Sequence, residues 1–253
     1  MKIVILQTDI VWADPAANVK KADEILSRYE NVDLFVLPEM FSTGFCTKPE
    51  GIAEKNGSKA LEWMKSTAQA KHCAIAGSIA LEDKEKYYNR FYFVHPGGTV
   101  EWYDKRHLFA YGGEHKQFTA GSKRLIVNYR GVRFLLQICY DLRFPVWSRN
   151  RNDYDVAVYV ASWPTSRVEA WKLLLKARAV ENQCYVVGVN RVGKDPDCEY
   201  SGGSAVISPY GKVIAECEDN TACEAVVDID MDELEAFRQK FPVLNDADSF
   251  EIM

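Results

Sequence analysis

The chain has 253 residues, 47% of them hydrophobic, which is enough for one large domain with a substantial core. Its formal net charge of −5 leaves no basic surplus to neutralise phosphates, and no apolar run approaches membrane-spanning length, so neither a nucleic-acid partner nor a membrane is expected. The seven cysteines are odd in number and lack C-x-x-C spacing, and only four histidines accompany them, which argues against a disulfide framework or a zinc site. A reducing, cytoplasmic compartment is the expectation.

The N-terminal run is too short for a signal peptide and reads as a first strand at 2–8. Further strand-like runs fall at 33–38, 73–80, 88–94, 132–138, 155–160, 184–190, 204–207 and 223–228. Helical patterns occupy 15–29, 58–71 and 166–182, the last with good helix formers and an apolar face. Pro and Gly at 95–99 and 208–212 mark hairpin turns. Strand–helix–strand units mixed with hairpins predict an α/β domain with layered, mixed sheets.

Pro38 cannot extend a central ladder, so Glu39 falls at the carboxyl end of a strand, where open α/β sheets place their ligand sites. A glutamate set among Leu37, Pro38, Met40 and Phe41 loses water and suits general-base work, although a solvated strand-ending glutamate reads the same by spacing. Between Trp102 and Phe109 stand Asp104, Lys105, Arg106 and His107. They read either as a basic surface turn or as a lysine held ionised beside a carboxylate and offered to a developing oxyanion. The next segment, 111–115, reads as a flexible loop carrying a second carboxylate, Glu114.

Cys139 ends the apolar run 132–138 and precedes the turn-forming stretch 140–145. A thiol at such a turn is a candidate nucleophile in need of a base, although packing in a core is the commoner fate of a free cysteine. Cys73 and Cys184 read as core, and Cys217 and Cys223, which flank a polar turn, as incidental. The run 188–195 nearly fits a phosphate-binding loop, but Asp195 stands where a magnesium-binding hydroxyl belongs and would repel phosphate. A Cys–His pairing through His107 or His115 has no supporting signature.

Three segments occur in order: Pro38-Glu39-Met40-Phe41-Ser42-Thr43-Gly44-Phe45, Tyr103-Asp104-Lys105-Arg106-His107-Leu108-Phe109 and Cys139-Tyr140-Asp141-Leu142-Arg143-Phe144-Pro145. Together they resemble the Glu–Lys–Cys segments of the nitrilase, or carbon–nitrogen hydrolase, superfamily. Further likeness at 161–164, 176–183, 190–193 and 241–248 extends the resemblance over essentially the whole chain. The flanks are most similar to those of the bacterial omega-amidases, with Ser162 where that subgroup has Asn.

The resemblance implies a single carbon–nitrogen hydrolase domain over 1–253, built as a four-layer α-β-β-α sandwich with two mixed sheets. It also implies a homodimer, with a tail of about 241–253 docked at the interface. Glu39 would be the general base and Cys139 the nucleophile. Lys105 and the Tyr140 backbone N–H would stabilise the oxyanion, and Glu114 would orient Lys105 or the substrate amide. That chemistry needs neither metal nor organic cofactor.

The implied reaction is hydrolysis of the terminal amide of 2-oxoglutaramate or 2-oxosuccinamate through a Cys thioester. An N-carbamoyl amine or amino-acid hydrolase and a catalytically silent dimeric binding module are the alternatives. Arg143 and Arg167 are candidate cations for a substrate carboxylate, and Trp163 is a candidate pocket wall, although each reads equally well as structural.

Overall fold

Strands that read as unbroken apolar runs must be covered on both faces, and that requirement sets the layering. The computed structural model describes residues 1–55 and 58–252. The first half contains β1 (Lys2–Gln7), α1 (Pro15–Leu26), β2 (Leu34–Val36), β3 (Glu54–Lys55), α2 (Lys59–Lys71), β4 (Ala74–Asp83), β5 (Lys86–Val94) and β6 (Val100–Asp104). Then come β7 (Ile126–Tyr129), β8 (Val132–Ile138), a 3-10 turn over Cys139–Arg143, α3 (Pro145–Ser148), β9 (Val156–Ala161), α4 (Val168–Asn182) and β10 (Tyr185–Asn190). The chain finishes with β11 (Val192–Lys194), β12 (Glu199–Ser201), β13 (Ala205–Ile207), β14 (Val213–Glu216), β15 (Cys223–Asp228) and α5 (Met231–Lys240).

One large sheet runs β15-β1-β2-β4-β5-β6, with β3 beside β4, a second runs β14-β13-β10-β9-β8-β7, and β11 pairs with β12 as a separate two-stranded ribbon. Parallel strands β1, β2 and β4 lie at the heart of the first, and β10, β9 and β8 at the heart of the second. Antiparallel strands flank both groups, so both sheets are mixed.

Strand alternation distributes most of the side chains between three large cores, and a smaller fourth cluster holds Met40, Cys46, Ala80 and Phe118. Ile3, Ile5, Phe91 and Phe93 of the first sheet meet Phe134, Leu136, Val158 and Val187 of the second. On the outer face of the first sheet, Val4, Phe35 and Ile75 pack on Ala22 and Leu26 of α1 and on Met64 and Ala68 of α2. On the outer face of the second, Leu135, Tyr159 and Val186 pack on Trp171, Leu175 and Ala179 of α4. The layers are therefore α-β-β-α. Each fully buried large aliphatic side chain contributes roughly 1.5–3 kcal/mol, so packing rather than helix propensity seats these helices.

Most element boundaries agree with the spacing. Ser58 caps α2, its Oγ accepting from Leu61 N at 3.1 Å. Helix α4 begins at Val168 rather than 166 because Thr165–Arg167 forms a 3-10 turn. The sequence reading places no helix at α5, whose fully buried residue is Leu234, with Met231 packed beside it. Asp230 starts it, accepting from Asp232 N and Glu233 N at 2.9 and 3.2 Å.

Gly188 lies inside β10, where a Cβ would sit 2.5 Å from Leu175 Cδ1, so this glycine serves helix-to-sheet packing, and the run continues as strand β11 in place of a phosphate-binding loop and helix. Cys217 is not incidental: it is 5% exposed and belongs to the core between the sheets. All seven cysteines are free, and no helix among the described residues is long and apolar enough to cross a membrane. The C-terminal tail contacts its own chain. Gln183 Nε2 donates to the Phe241 carbonyl at 2.7 Å, and Arg151 lies over the Phe250 ring at 4.7 Å. Phe241 itself stays exposed, and Met253 lies outside the described residues.

Candidate active site

Glu39 follows β2, Lys105 follows β6, Cys139 follows β8 directly, and Ser162 follows β9. Two of these turns are tight enough to force non-glycine residues into left-handed backbone, Met40 and Cys139 both at φ 45°. Such values are uncommon and persist where surrounding contacts over-determine them. At Met40 the N–H donates to Ser78 Oγ at 2.9 Å, while the N–H groups of Thr43 and Gly44 donate to its carbonyl at 3.1 and 2.8 Å.

Glu39, Lys105 and Glu114 are all 0% exposed. An unpaired buried charge costs several kcal/mol, so these groups are tolerated only as a set. Lys105 Nζ donates to Glu39 Oε1 at 2.9 Å and to Glu114 Oε1 and Oε2 at 3.2 and 3.0 Å. The other Glu39 oxygen accepts from the Ser162 backbone N–H at 2.7 Å, and Glu114 Oε2 accepts from Phe109 N at 2.6 Å. The basic-surface-turn reading of 102–109 is therefore excluded. Asp104, the neighbour in sequence, does not partner Lys105; it binds Arg90 through two hydrogen bonds of 2.7 and 3.0 Å.

The stretch 111–115 is not a flexible loop. It folds into successive 3-10 turns, Ala110–Gly112 and Glu114–Lys116, joined by Gly113 at φ 85°. That arrangement turns Glu114 inward and leaves His115 exposed.

The electrostatics follow from this packing. Burial works against the Lys105 ammonium, but the Glu114 and Glu39 carboxylates outweigh it and hold the amine charged beyond the ordinary lysine range. Burial raises the Glu114 carboxyl, with Lys105 opposing the rise. The Cys139 thiol is pushed well above the usual cysteine range, first by burial and then by the adjacent Glu39 carboxylate, with Lys105 opposing. Cys139 at rest is therefore a neutral thiol beside a carboxylate. Buried Cys184 and Cys46 are pushed up to about 12 by their surroundings, but neither lines the cleft in front of Cys139.

Beside Cys139 lies a second buried carboxylate, Asp141. It accepts from Ile138 N at 3.0 Å and Tyr103 Oη at 2.9 Å on one oxygen. His107 N at 3.0 Å and His107 Nδ1 at 2.8 Å occupy the other. The His107 ring stacks on Phe144 with centroids 3.9 Å apart. His107 is thus engaged away from the thiol, and a Cys–His pair is not formed.

Cys139 and Lys105 open into a small cleft whose walls include Phe45, Phe109, Tyr140, Arg143, Trp163 and Arg167. Roomier grooves run along α4 and beside β6, but neither reaches Cys139. Arg143 lies 4.8 Å over the Trp163 ring and Arg167 5.4 Å over Phe109. Among the described residues no carboxylate pairs with either guanidinium, whereas Arg90, Arg124, Arg133 and Arg238 are all paired. Trp163 is both wall and core: it is 3% exposed, with its N–H on Asn190 Oδ1 at 2.7 Å and its Nε1 on the Arg167 carbonyl at 2.8 Å.

Every residue singled out from the sequence as a site candidate is therefore at or beneath one cleft. Sequence reading missed Asn89, which touches both glutamates, and Asp141, which braces the Cys139 turn. Asn89 had a signal. In β5 it shares the inward face with Phe91 and Phe93, so a polar residue stands where alternation demands an apolar one.

Residues 2–239 match the carbon–nitrogen hydrolase family. The chain is 47% identical over 253 residues to the omega-amidase YafV of Escherichia coli K12, covering 100% of this chain and 98% of that one. It is 37% identical to the 2-oxoglutaramate amidase of Bacillus subtilis 168, covering 96% of each. Among solved structures, XC1258 of Xanthomonas campestris, a CN-hydrolase superfamily protein with an arsenic adduct in its active site, superposes with a TM-score of 0.97 at 38% identity. That match covers 100% of this chain and 99% of the other. Yeast Nit3, of the nitrilase superfamily, gives a TM-score of 0.88 at 25% identity, with 96% and 94% covered. With the Glu39–Lys105–Glu114 cluster beneath Cys139 and a match along nearly its full length, the chain belongs to the carbon–nitrogen hydrolase family.

Proposed function

We propose that this hydrolase is an omega-amidase, which removes the terminal amide of a 2-oxo dicarboxylate mono-amide as ammonia. The observation that carries the reading is the buried Glu39–Lys105–Glu114 cluster set against a neutral Cys139 thiol. Glu39 accepts the Sγ proton as the sulfur adds to the amide carbonyl carbon. Lys105 and the Tyr140 backbone N–H stabilise the oxyanion. Glu39 returns the proton to the departing nitrogen, the C–N bond breaks, and a thioester remains on Cys139. Water then gives a proton to Glu39 and adds to the thioester carbon. Collapse releases the 2-oxo acid and restores the thiol. Glu114 holds Lys105 in place throughout.

Charge supports the choice of substrate. Glu39, Glu114 and Lys105 together carry a net negative charge beneath the thiol, which disfavours a carboxylate there, while Arg143 and Arg167, paired with no carboxylate among the described residues, stand on the cleft walls. The amide is thus drawn to the floor and the carboxylate to the rim, an arrangement suited to a substrate with these groups at opposite ends. An α-ammonium would be desolvated near two guanidiniums without a partner, and a neutral 2-oxo group avoids that cost.

The test is ammonia release from 2-oxoglutaramate, 2-oxosuccinamate, glutamine, asparagine and N-carbamoyl amino acids, with Cys139→Ala as the inactive control. The oxo-amides should be hydrolysed with the highest kcat/KM. Equal use of glutamine refutes the charge argument, and more efficient carbon dioxide release from carbamoyl substrates points to a carbamoyl hydrolase.

The same reading makes the chain one domain over 1–253 that acts as a cytoplasmic homodimer, with the tail near the interface. Exposed Tyr210 and Phe241 flank the Phe237 ring, with centroids 4.1 and 6.5 Å from it, and give the tail's neighbourhood an apolar face that a second copy would cover. Light scattering that returns a monomer at micromolar concentration contradicts the dimer.

A further inference from the structure

Asn89 is 0% exposed, and a buried amide without a structural partner is expensive, so its contacts define its task. Its single Nδ2 donates to Glu39 Oε1 at 2.7 Å and to Glu114 Oε1 at 3.2 Å. The same two carboxylates share Lys105 Nζ. They are therefore bridged twice, once by a cation and once by a neutral amide. The orientation of the amide is fixed at one further remove. Ser78 Oγ accepts from Met40 N at 2.9 Å, so its own proton goes to Asn89 Oδ1 at 3.0 Å. The amide nitrogen is thereby turned to the carboxylates; the opposite orientation would set two acceptors 2.7 Å apart.

The geometry also shows why a neutral donor is needed. Glu39 and Glu114 carry two negative charges against one ammonium. A second lysine would neutralise the base, and an apolar residue would leave a carboxylate lone pair bare in a dry site. An amide satisfies the lone pair and adds no charge. Because the same Ser78 hydroxyl fixes Met40, the residue after Glu39, the chain of bonds ties the base's backbone and its carboxylate to one strand pair, β4 and β5.

We propose that Asn89 is a positioning residue: it holds the Glu39 and Glu114 carboxylates at a fixed separation and keeps the remaining Glu39 lone pair directed at Cys139. This rests on the assignment of Glu39 as the base, and it adds a residue that acts on catalysis through that base without touching substrate.

The test compares Asn89→Ala with Asn89→Asp. Loss of the donor lets Glu39 move, and a misplacement of about 1 Å costs about 10²-fold in kcat with KM little changed. Losing an N–H donor to a carboxylate also favours its protonated form, so the acid limb of the kcat/KM profile should move to higher pH. Asn89→Asp is isosteric but places an acceptor against two carboxylates. It should be worse than Asn89→Ala by at least a further roughly 10-fold, because a third buried charge has no cation of its own.

A merely structural Asn89 predicts the reverse order, with the isosteric Asp the milder change and the pH profile unmoved. That outcome overturns the proposal, as does an Asn89→Ala enzyme with parental kcat. Should both variants fail to fold, Ser78→Ala, which frees the amide's orientation and the Met40 N–H together, should lower kcat with KM preserved, and an unchanged kcat there sinks the idea. Alkylation of Cys139 by iodoacetamide is followed across pH in parallel. It needs no substrate, so a shifted alkylation profile in Asn89→Ala supports the positioning role even if no oxo-amide is turned over. An unshifted one counts against it whatever the substrate.

Discussion

Glu39 and Asp141 are both carboxylates with no exposure, both stand beside Cys139, and their hydrogen bonds give them opposite capacities. An ionised carboxylate has about four lone-pair sites. Asp141 fills them with Ile138 N, Tyr103 Oη and two donors from His107. Glu39 accepts from Lys105, Asn89 and the Ser162 N–H, and one site is left for the neighbouring thiol. Glu114 resembles Asp141 in this respect, with Lys105 on both oxygens, Asn89 on one and Phe109 N on the other. The lesson is that burial does not distinguish a base from a brace. Saturation does: a carboxylate with every lone pair engaged holds structure, and one with a vacancy can take a proton.

The largest expected effect breaks the comparison at Glu39. Glu39→Gln keeps the shape but removes the acceptor, and general-base catalysis is worth about 10²–10⁴-fold, so kcat should fall by that factor while the melting temperature holds. Asp141→Asn should do the opposite. Its NH2 would face donors, and leaving them unsatisfied costs roughly 1–3 kcal/mol, read as a lowered denaturation midpoint with kcat reduced much less. If Asp141→Asn lost activity at full stability and Glu39→Gln lost stability at full activity, the saturation argument would be wrong.

A smaller effect sharpens the contrast within the cluster. Glu114→Gln keeps the cluster's packing but weakens the hold on Lys105. Removing one oxyanion donor outright costs roughly 10²–10³-fold in kcat, so Lys105→Ala should show that loss and Glu114→Gln a part of it, measured by single-turnover ammonia release. Glu114→Gln should not reach the Glu39→Gln value; a Glu114→Gln enzyme as inactive as Glu39→Gln would make Glu114 a second proton carrier.

The smallest effect lies at the rim. Hydrogen bonds to charged groups contribute about 1.5–3 kcal/mol, so Arg167→Ala or Arg143→Ala should raise KM for 2-oxoglutaramate by about 10–100-fold with kcat nearly kept. A neutral amide such as propionamide should be indifferent to both changes. Loss on propionamide would place the arginines in structure instead of recognition.

Local sequence determined nine of the strands by their apolar runs, but not β3, β6, β7, β11, β12 or β14; it also determined the helix start at Ser58 by its cap and the turn after Pro38 by the missing N–H, because each of these depends on neighbours along the chain. It also determined the chemistry on offer: Glu39 and Cys139 were legible as strand-end residues, Lys105 through its place in the ordered motifs, and Glu114 through the family resemblance alone. Helix α5 went unread, although Met231 and Leu234 lie on its core side. Lys105 took its carboxylates from Glu39 and Glu114, 66 and 9 residues away, and not from adjacent Asp104. The roles of Asn89 and Asp141 depend on side chains that only the pairing of β4 with β5 and the meeting of the two sheets bring within reach. Lone-pair saturation is a count over residues from four or more separate elements, and no stretch of sequence contains it. Tertiary packing alone decided which of these buried carboxylates kept an open lone pair, because the donors that fill the others arrive from elements distant in sequence.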